Sequence, residues 1–148
     1  MAKNFTFTSE SVCSGHPDKI CDRISDSILD AVLFKDPDGR VAIETLVTKE
    51  KVVIVGELTT VAKIDIETIA RQTIQKLGYT KSFLHFSDRS PIAVSVHSQS
   101  PEIAQGVDLE GAGDQGMMFG YACTQTTELM PLPITLAHAL AKTIDTTR

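Results

Sequence analysis

Two apolar stretches separated by a short polar segment restrict the fold of this chain more than any other feature. Residues 41–47 (Val-Ala-Ile-Glu-Thr-Leu-Val) and 52–58 (Val-Val-Ile-Val-Gly-Glu-Leu) are rich in β-branched side chains, and Thr-Lys-Glu-Lys at 48–51 joins them. This pattern predicts a β-hairpin. Because apolar side chains occur on both faces of the predicted strands, we expect one face to pack against helices and the other against a further domain or subunit.

The predicted hairpin contains two acidic residues, Glu44 and Glu57. A four-residue turn sets Val47 opposite Val52, so the two acidic residues lie on one face as diagonal neighbours, about 7–8 Å apart between Cα atoms. Carboxylates on an apolar face are costly to bury unless cations meet them. The pattern therefore leaves two interpretations open, solvent exposure and cation binding.

Helical and strand periodicities on either side of the hairpin complete an α+β pattern. Ile20, Ile24 and Ile28 recur on one face of a predicted helix that begins at Pro17 and ends before the turn signal at residues 36–39. Further elements are predicted as strands at residues 5–8 and 92–97, and as a helix at residues 65–77 with Asp65 as its N-cap and Gly78 after its end. The order β-α-β-β-α-β predicts an α+β layer, a mixed sheet with helices on one face.

Glycines punctuate a polar, acidic segment after residue 98, which predicts a long mobile loop with a functional role. Two more elements are predicted beyond it, a strand at residues 117–122 and a helix at residues 134–144. We therefore place a first domain at residues 1–112, with the mobile loop at about 99–112. The beginning of a second, similar but incomplete domain is placed at residues 113–148.

The start of the first predicted helix, Ser14-Gly15-His16-Pro17-Asp18-Lys19, combines groups that bind phosphate and metal ions. Gly15 permits close approach of the backbone to a ligand, and a helix N-terminus holds phosphates. His16 can donate a hydrogen bond to a phosphate oxygen or a leaving group. Asp18 offers a hard oxygen suited to Mg²⁺, and Lys19 can balance phosphate charge. A plain helix-capping turn explains these residues about equally well.

A second pattern of close backbone approach surrounds Asp114, in the segment Gly111-Ala112-Gly113-Asp114-Gln115-Gly116. The Lys-Ser/Thr pair of a P-loop is absent from this segment. A ligand-binding turn and a flexible hairpin turn both remain open.

Charge and hydropathy exclude several classes of function. The net charge is −5 and the basic residues are scattered, which argues against nucleic acid as a partner. No apolar run approaches the ~18 residues of a membrane span, and the N-terminus has no apolar signal segment. The three cysteines form no CxxC motif and suit a reducing compartment. We therefore expect a cytoplasmic protein without membrane or nucleic-acid partners.

Taken together, five separated segments resemble the S-adenosylmethionine synthetase family, in the same order as in that family. The segments are residues 10–19, 57–60, 99–107, 111–122 and 129–138. The resemblance covers essentially the whole chain. It implies that this chain is the N-terminal portion of such a synthetase. Members join ATP and L-methionine. The methionine sulfur attacks C5′ of ATP and displaces the triphosphate, which is then hydrolysed. Mg²⁺ and K⁺ assist as cofactors.

The resemblance also implies roles for individual residues. His16 would be the catalytic residue, binding ATP near the C5′ oxygen with Lys19 as a second ATP contact. The metal ligands would be Asp18 and Glu10 for Mg²⁺ and Glu44 for K⁺. Methionine would be held by Glu57, Gln99 and Asp114, with Glu57 at its ammonium group. The segment 99–112 would close over the site.

Members of the family are longer, consist of three similar α+β domains, and form their active sites between two subunits. The resemblance therefore implies a homo-oligomer, a dimer or dimer of dimers, for the full-length form. The segment between Val107 and Gly111 is shorter here than in many members. We expect this chain to be a partial form that is not active alone. The alternative is a non-catalytic truncated paralogue that acts as a binding or assembly partner of a full-length synthetase.

Overall fold

The computed structural model describes residues 6–100 and 116–147. Within these ranges the regular elements are α1 (Pro17–Leu33), β1 (Arg40–Val47), β2 (Val52–Thr59), α2 (Ile66–Lys76), a 3₁₀ turn (Ser82–Leu84), β3 (Ile92–His97) and α3 (Leu132–Thr147). The described residues form two compact units. One unit comprises residues 17–100, and the other comprises residues 6–16 with 116–147.

The predicted hairpin is present and supplies two strands of a three-stranded sheet. Strands β1 and β2 are antiparallel, with Val47 opposite Val52 and Glu44 opposite Val55, which confirms the predicted register. Strand β3 pairs with β2 in parallel, so the sheet is mixed and has the order β1-β2-β3. The parallel pairing requires a crossover between β2 and β3, and α2 lies in that connection.

The apolar core lies between one face of this sheet and helices α1 and α2. The predicted face of α1 is buried, with Ile24 and Ile28 fully inaccessible to solvent. The core cluster also contains Ile43, Val52, Ile54, Ala70, Ile74 and Phe86. Burying one isoleucine or valine side chain contributes roughly 1.5–3 kcal/mol to the stability of the fold. This layer of helices on a mixed sheet confirms the predicted α+β class.

Both predicted ends of α2 are confirmed. Asp65 is the N-cap, and its carboxylate accepts hydrogen bonds from Thr68 N at 3.1 Å and Thr68 Oγ1 at 2.7 Å. These bonds favour the ionised form and lower the pKa of Asp65. Gly78 follows the helix with φ of 90°, a left-handed conformation that glycine adopts without steric cost.

Two strands predicted from the sequence are not formed. Residues 6–8 and 117–122 have no strand pairing, although their composition favours strands. A strand is stable only when its backbone groups pair with a neighbour, and the described residues provide no neighbouring strand for either segment. Met118 and Phe119 are 96% and 87% exposed, so no apolar layer covers the second segment.

Within the described parts of the chain, no helix is both long enough and apolar enough to cross a membrane.

Candidate functional site

Glu44 and Glu57 lie on the sheet face that carries no helices. Ile43 and Ile54 point into the core, and side chains alternate along a strand, so Glu44 and Val55 point to the opposite face. Glu44 is exposed there, and Glu57 is half-buried. The predicted placement of the two carboxylates on a shared face is confirmed by the register. For Glu44, the exposed side chain agrees with the simpler of the two sequence interpretations.

A cavity of about 140 Å³ lies at one end of the sheet. Its lining consists of Arg40, Val41, Ala42, Glu57 and Gln99. Arg40 opens β1, Glu57 lies near the end of β2, and Gln99 follows the end of β3. Pockets for drug-sized ligands occupy about 300–1,000 Å³. The cavity therefore suits a small metabolite, or one end of a larger ligand.

The cavity brings together two of the three residues predicted to bind methionine. Glu57 and Gln99 are distant in the chain, and the parallel pairing of β2 with β3 places them side by side. The Gln99 backbone N–H donates to Thr59 Oγ1 at 3.4 Å, which fixes the residue beside the end of β2. The third predicted residue, Asp114, lies outside the described residues, as does most of the segment 99–112.

The side chain of Gln99 has an unusual hydrogen-bonding state. Its Oε1 atom is buried and has no hydrogen-bond partner among the described residues. A buried carbonyl oxygen without a donor is unfavourable by about 1–3 kcal/mol. A ligand that offers an N–H or O–H group would remove that penalty, so the cavity is suited to a donor such as an ammonium group.

Gly56 fixes the backbone beside this cavity. Its φ is 138°, a region that residues with a side chain rarely adopt. A Cβ atom at this position would overlap the carbonyl oxygen of Ala42 on the paired strand. Glycine is therefore required for β1 and β2 to approach closely where Ala42 and Glu57 line the cavity.

Arg40 is a cavity residue that sequence reasoning missed. It carries a positive charge into a cavity whose other ionisable residue is Glu57. Arg40 pairs with Thr59, so the confirmed register puts Arg40 on the same sheet face as Ala42 and Glu57. Extending the hairpin register by two residues from Ala42 would have found it.

The predicted helix-start motif occupies the N-terminus of α1. Helix α1 begins at Pro17, and both Asp18 and Lys19 lie in its first turn, exposed to solvent. Lys19 Nζ contacts Asp22 Oδ2 at 3.0 Å, so its ammonium group is paired within the helix. The backbone N–H of His16 donates to the carbonyl of Cys13 at 3.0 Å, and its side chain is exposed.

The segment that leads to this motif is hydrogen-bonded to α3, within the same compact unit. Ser11 Oγ lies 2.8 Å from His138 Nδ1, and the backbone N–H of Ser14 donates to Asp145 Oδ2 at 2.9 Å. The Cys13 thiol lies 3.7 Å from the carbonyl oxygen of Ala141. These contacts give His138 and Asp145 a role in placing residues 11–14, which spacing along the chain could not indicate.

The predicted metal ligands are not assembled into a cluster. Glu10, Asp18 and Glu44 are all exposed. Within residues 6–100 and 116–147, no group of three or more His, Cys, Asp or Glu side chains is arranged to hold a metal ion. The described residues therefore offer single carboxylates rather than a coordination shell.

Two models of protein domains together match nearly the whole chain. The model of the S-adenosylmethionine synthetase N-terminal domain matches residues 4–101. The model of the central domain of the same synthetases matches residues 109–148. The first match contains the entire sheet and the cavity, and the second contains α3.

Proposed function

This chain belongs to the S-adenosylmethionine synthetase family, which comprises methionine adenosyltransferases, and we propose that it contributes the methionine-binding end of such an active site. The observation that carries the proposal is the meeting of Glu57 and Gln99 in one small cavity. Glu57 provides a carboxylate for an ammonium group, and the buried Oε1 of Gln99 accepts a further N–H. The reaction is formation of S-adenosylmethionine from ATP and L-methionine, with hydrolysis of the displaced triphosphate.

In this proposal the chain's own residues orient the two substrates. Glu57 and Gln99 hold the amino-acid end of methionine, with Asp114 as an additional contact, and this leaves the sulfur to face C5′ of ATP. His16, at the start of α1, donates a hydrogen bond to the oxygen that leaves C5′. Lys19 and the positive end of the helix dipole at the N-terminus of α1 favour the triphosphate charge.

Mg²⁺ and K⁺ are the ions expected for this family, and when bound they would neutralise phosphate charge. Asp18 and Glu10 have the oxygen donors that Mg²⁺ prefers, and Glu44 offers a carboxylate to K⁺. Single exposed carboxylates do not form a complete coordination shell, and the described residues contain no cluster that would. The described residues alone therefore do not complete a site for either ion.

The net charge supports the proposal that the 148-residue chain is not a self-sufficient enzyme. A triphosphate requires several cationic partners, whereas the chain carries a net charge of −5. The other proposed role, a binding or assembly partner of a full-length synthetase, is supported by the exposed helix-free face of the sheet, where Leu46 is 58% exposed. In either role the protein acts in the cytoplasm.

L-methionine binding by the purified chain tests the proposed site. We expect titration with L-methionine to shift the NMR signals of Gln99 and the end of β2, and Glu57→Gln to weaken binding about tenfold or more, because a charge-assisted hydrogen bond is lost. Glu67→Gln, which removes an exposed carboxylate on α2, serves as the matched control and should leave the affinity unchanged. Equal affinity of the wild type and Glu57→Gln would refute the site.

A product assay tests the second part of the proposal. The chain supplied with ATP, L-methionine, Mg²⁺ and K⁺ should form no S-adenosylmethionine above the uncatalysed background. Product formation that His16→Ala abolishes would show that the chain is a complete enzyme and would contradict this part. Methionine binding would stand independently of that result.

A further inference from the structure

We infer that an exposed apolar stripe of α3 packs on the helix-free face of the sheet in a second copy of the chain. The stripe consists of Leu132, Leu136, Leu140 and Ile144. The inference goes beyond the proposed function and does not depend on methionine binding, because it concerns a contact between two chains.

The stripe itself is the first support. Its four side chains are spaced four residues apart and form one ridge along α3. They are between 49% and 66% exposed, and the described residues bury no side chain of α3. The charged residues of α3 lie off the stripe, since Lys142 is two positions past Leu140 and Asp145 Oδ2 accepts from the N–H of Ser14. An exposed apolar ridge without charge is typical of a surface that packs against another apolar surface.

The structure shows what such a stripe packs on, because α1 carries one with the same spacing. The stripe of α1 is buried and consists of Ile20, Ile24, Ile28 and Val32. Its isoleucines share the core cluster with Ile43, Val52 and Ile54 of the hairpin. A stripe of four aliphatic side chains at intervals of four therefore fits one face of this hairpin.

The opposite face of the same hairpin offers an apolar area for a second stripe. Leu46 is directly opposite Val53, and Val55 and Ala93 lie beside them on that face. We call these four residues the apolar half of the face. Glu44, opposite Val55, marks its boundary, and the cavity lies toward the other end of the strands. A helix on the apolar half would place α1 and α3 on the two faces of one hairpin.

The area of the two surfaces agrees with what a stable dimer requires. At about 100 Å² for a fully exposed aliphatic side chain, the stripe presents roughly 200 Å² of apolar area. A contact between two different surfaces closes in its simplest form as a dimer with two identical contacts. Two such contacts remove about 800 Å² of apolar area, or about 1,200–1,400 Å² in total for an interface that is roughly 56–65% apolar. Stable interfaces bury about 1,200–2,000 Å².

Paired variants of the full chain test this contact. Leu140→Glu places a charge in the stripe, and Leu46→Glu places one in the apolar half of the sheet face. A buried charge without a partner should raise the dissociation constant about 100-fold or more. By light scattering each variant alone should therefore have the mass of one chain, 16.1 kDa, whereas the wild type should have at least twice that mass.

An equimolar mixture of the two variants is the decisive measurement. The intact stripe of the Leu46→Glu variant can pack on the intact sheet face of the Leu140→Glu variant. The mixture should therefore form a complex of two chains that neither variant forms alone. This complex retains one of two contacts, so it should dissociate more readily than the wild type. Sedimentation over a series of concentrations measures both dissociation constants.

A matched control introduces the same side chain elsewhere on α3. Lys142→Glu changes an exposed position off the stripe and should keep the wild-type mass. Circular dichroism checks that each variant is folded. If Leu140→Glu or Leu46→Glu is unfolded, Leu136→Glu or Leu46→Gln takes its place in the mixture.

Four results would overturn the inference. The first is a wild type with the mass of one chain at all concentrations. An unchanged mass for Leu140→Glu would show that the stripe is outside the interface. An unchanged mass for Leu46→Glu would show that the stripe packs on another surface, such as a second α3. Dissociation of both variants without recovery in the mixture would show that the stripe and the sheet face do not pack on each other.

Discussion

At the scale of single residues, the backbone at Gly56 decides whether the cavity can form. The φ of 138° at Gly56 lets β1 pass close to β2, and no side chain fits between Gly56 and the carbonyl of Ala42. Glu57 follows directly and lines the cavity with Ala42. A glycine within a strand is usually unfavourable, since it has no side chain to pack. At Gly56 the missing side chain instead allows the two strands to approach closely beside the cavity.

Gly56→Ala is expected to destabilise the fold strongly. The substitution combines a strained φ, which contributes roughly 1–3 kcal/mol, with an overlap against backbone that cannot rotate away. Urea denaturation monitored by circular dichroism should show a lower free energy of unfolding. Gly116→Ala is the matched control, because Gly116 has no positive φ and a Cβ there meets open space. Similar unfolding curves for the two variants would contradict the steric argument.

At the scale of secondary-structure elements, α3 holds the segment that carries His16. Three contacts join residues 11–14 to one side of this helix, and the shortest bonds involve His138 and Asp145. Those two residues are seven positions apart, close to two helical turns, so both lie on one face of α3. A helix from the segment matched by the central-domain family model thus positions residues 11–14, which belong to the segment matched by the N-terminal one.

Asp145→Ala is expected to remove the hydrogen bond that holds the backbone at Ser14 on α3. The Ser14 N–H would lose its acceptor at 2.9 Å, and its amide hydrogen should exchange faster with solvent. Hydrogen exchange measured by NMR on the full chain tests this change. Lys142→Ala, an exposed substitution on the same helix, is the control and should leave exchange at Ser14 unchanged. Unchanged exchange in Asp145→Ala would show that the contact does not hold the segment.

The sequence predicted much of this element-level organisation, but not all of it. Local apolar periodicity indicated α1, α2 and the hairpin, and turn length fixed the register of Val47 opposite Val52. Residues 6–8 of the strand predicted at 5–8, and the strand predicted at 117–122, are not paired as strands for a physical reason. Strand composition describes a side-chain preference, whereas a strand also needs a neighbouring backbone, which local sequence does not provide.

At the scale of the whole molecule, the helix-free face of the sheet carries exposed apolar side chains. Leu46 and Val55 on this face are 58% and 41% exposed, and Val53 is half-buried between them. Neighbouring apolar side chains that are exposed on one sheet face are typical of an interaction surface. Because helices cover only the opposite face, we propose that a second copy of the chain covers this one.

Leu46→Glu is expected to dissociate the resulting oligomer. A charge buried at an apolar interface has no partner and is strongly unfavourable. Light scattering on the wild type should give at least twice the 16.1 kDa mass of one chain, and the variant should give the mass of one chain. Phe34→Glu, at an 89% exposed position after α1, should not change the mass. A wild type that is monomeric at all concentrations would contradict the proposal.

Local sequence determined the helices, the hairpin and its register, and the family resemblance, since each depends on spacing within a short segment. The tertiary structure decided which distant residues meet. Parallel pairing of β2 with β3 brings Gln99 to Glu57, and the same sheet end includes Arg40. Packing of residues 11–14 on α3 gives His138 and Asp145 their contacts. Both depend on long-range contacts, whose free energy comes from burial and backbone pairing between distant segments. The spacing of residues within a short segment does not indicate such contacts.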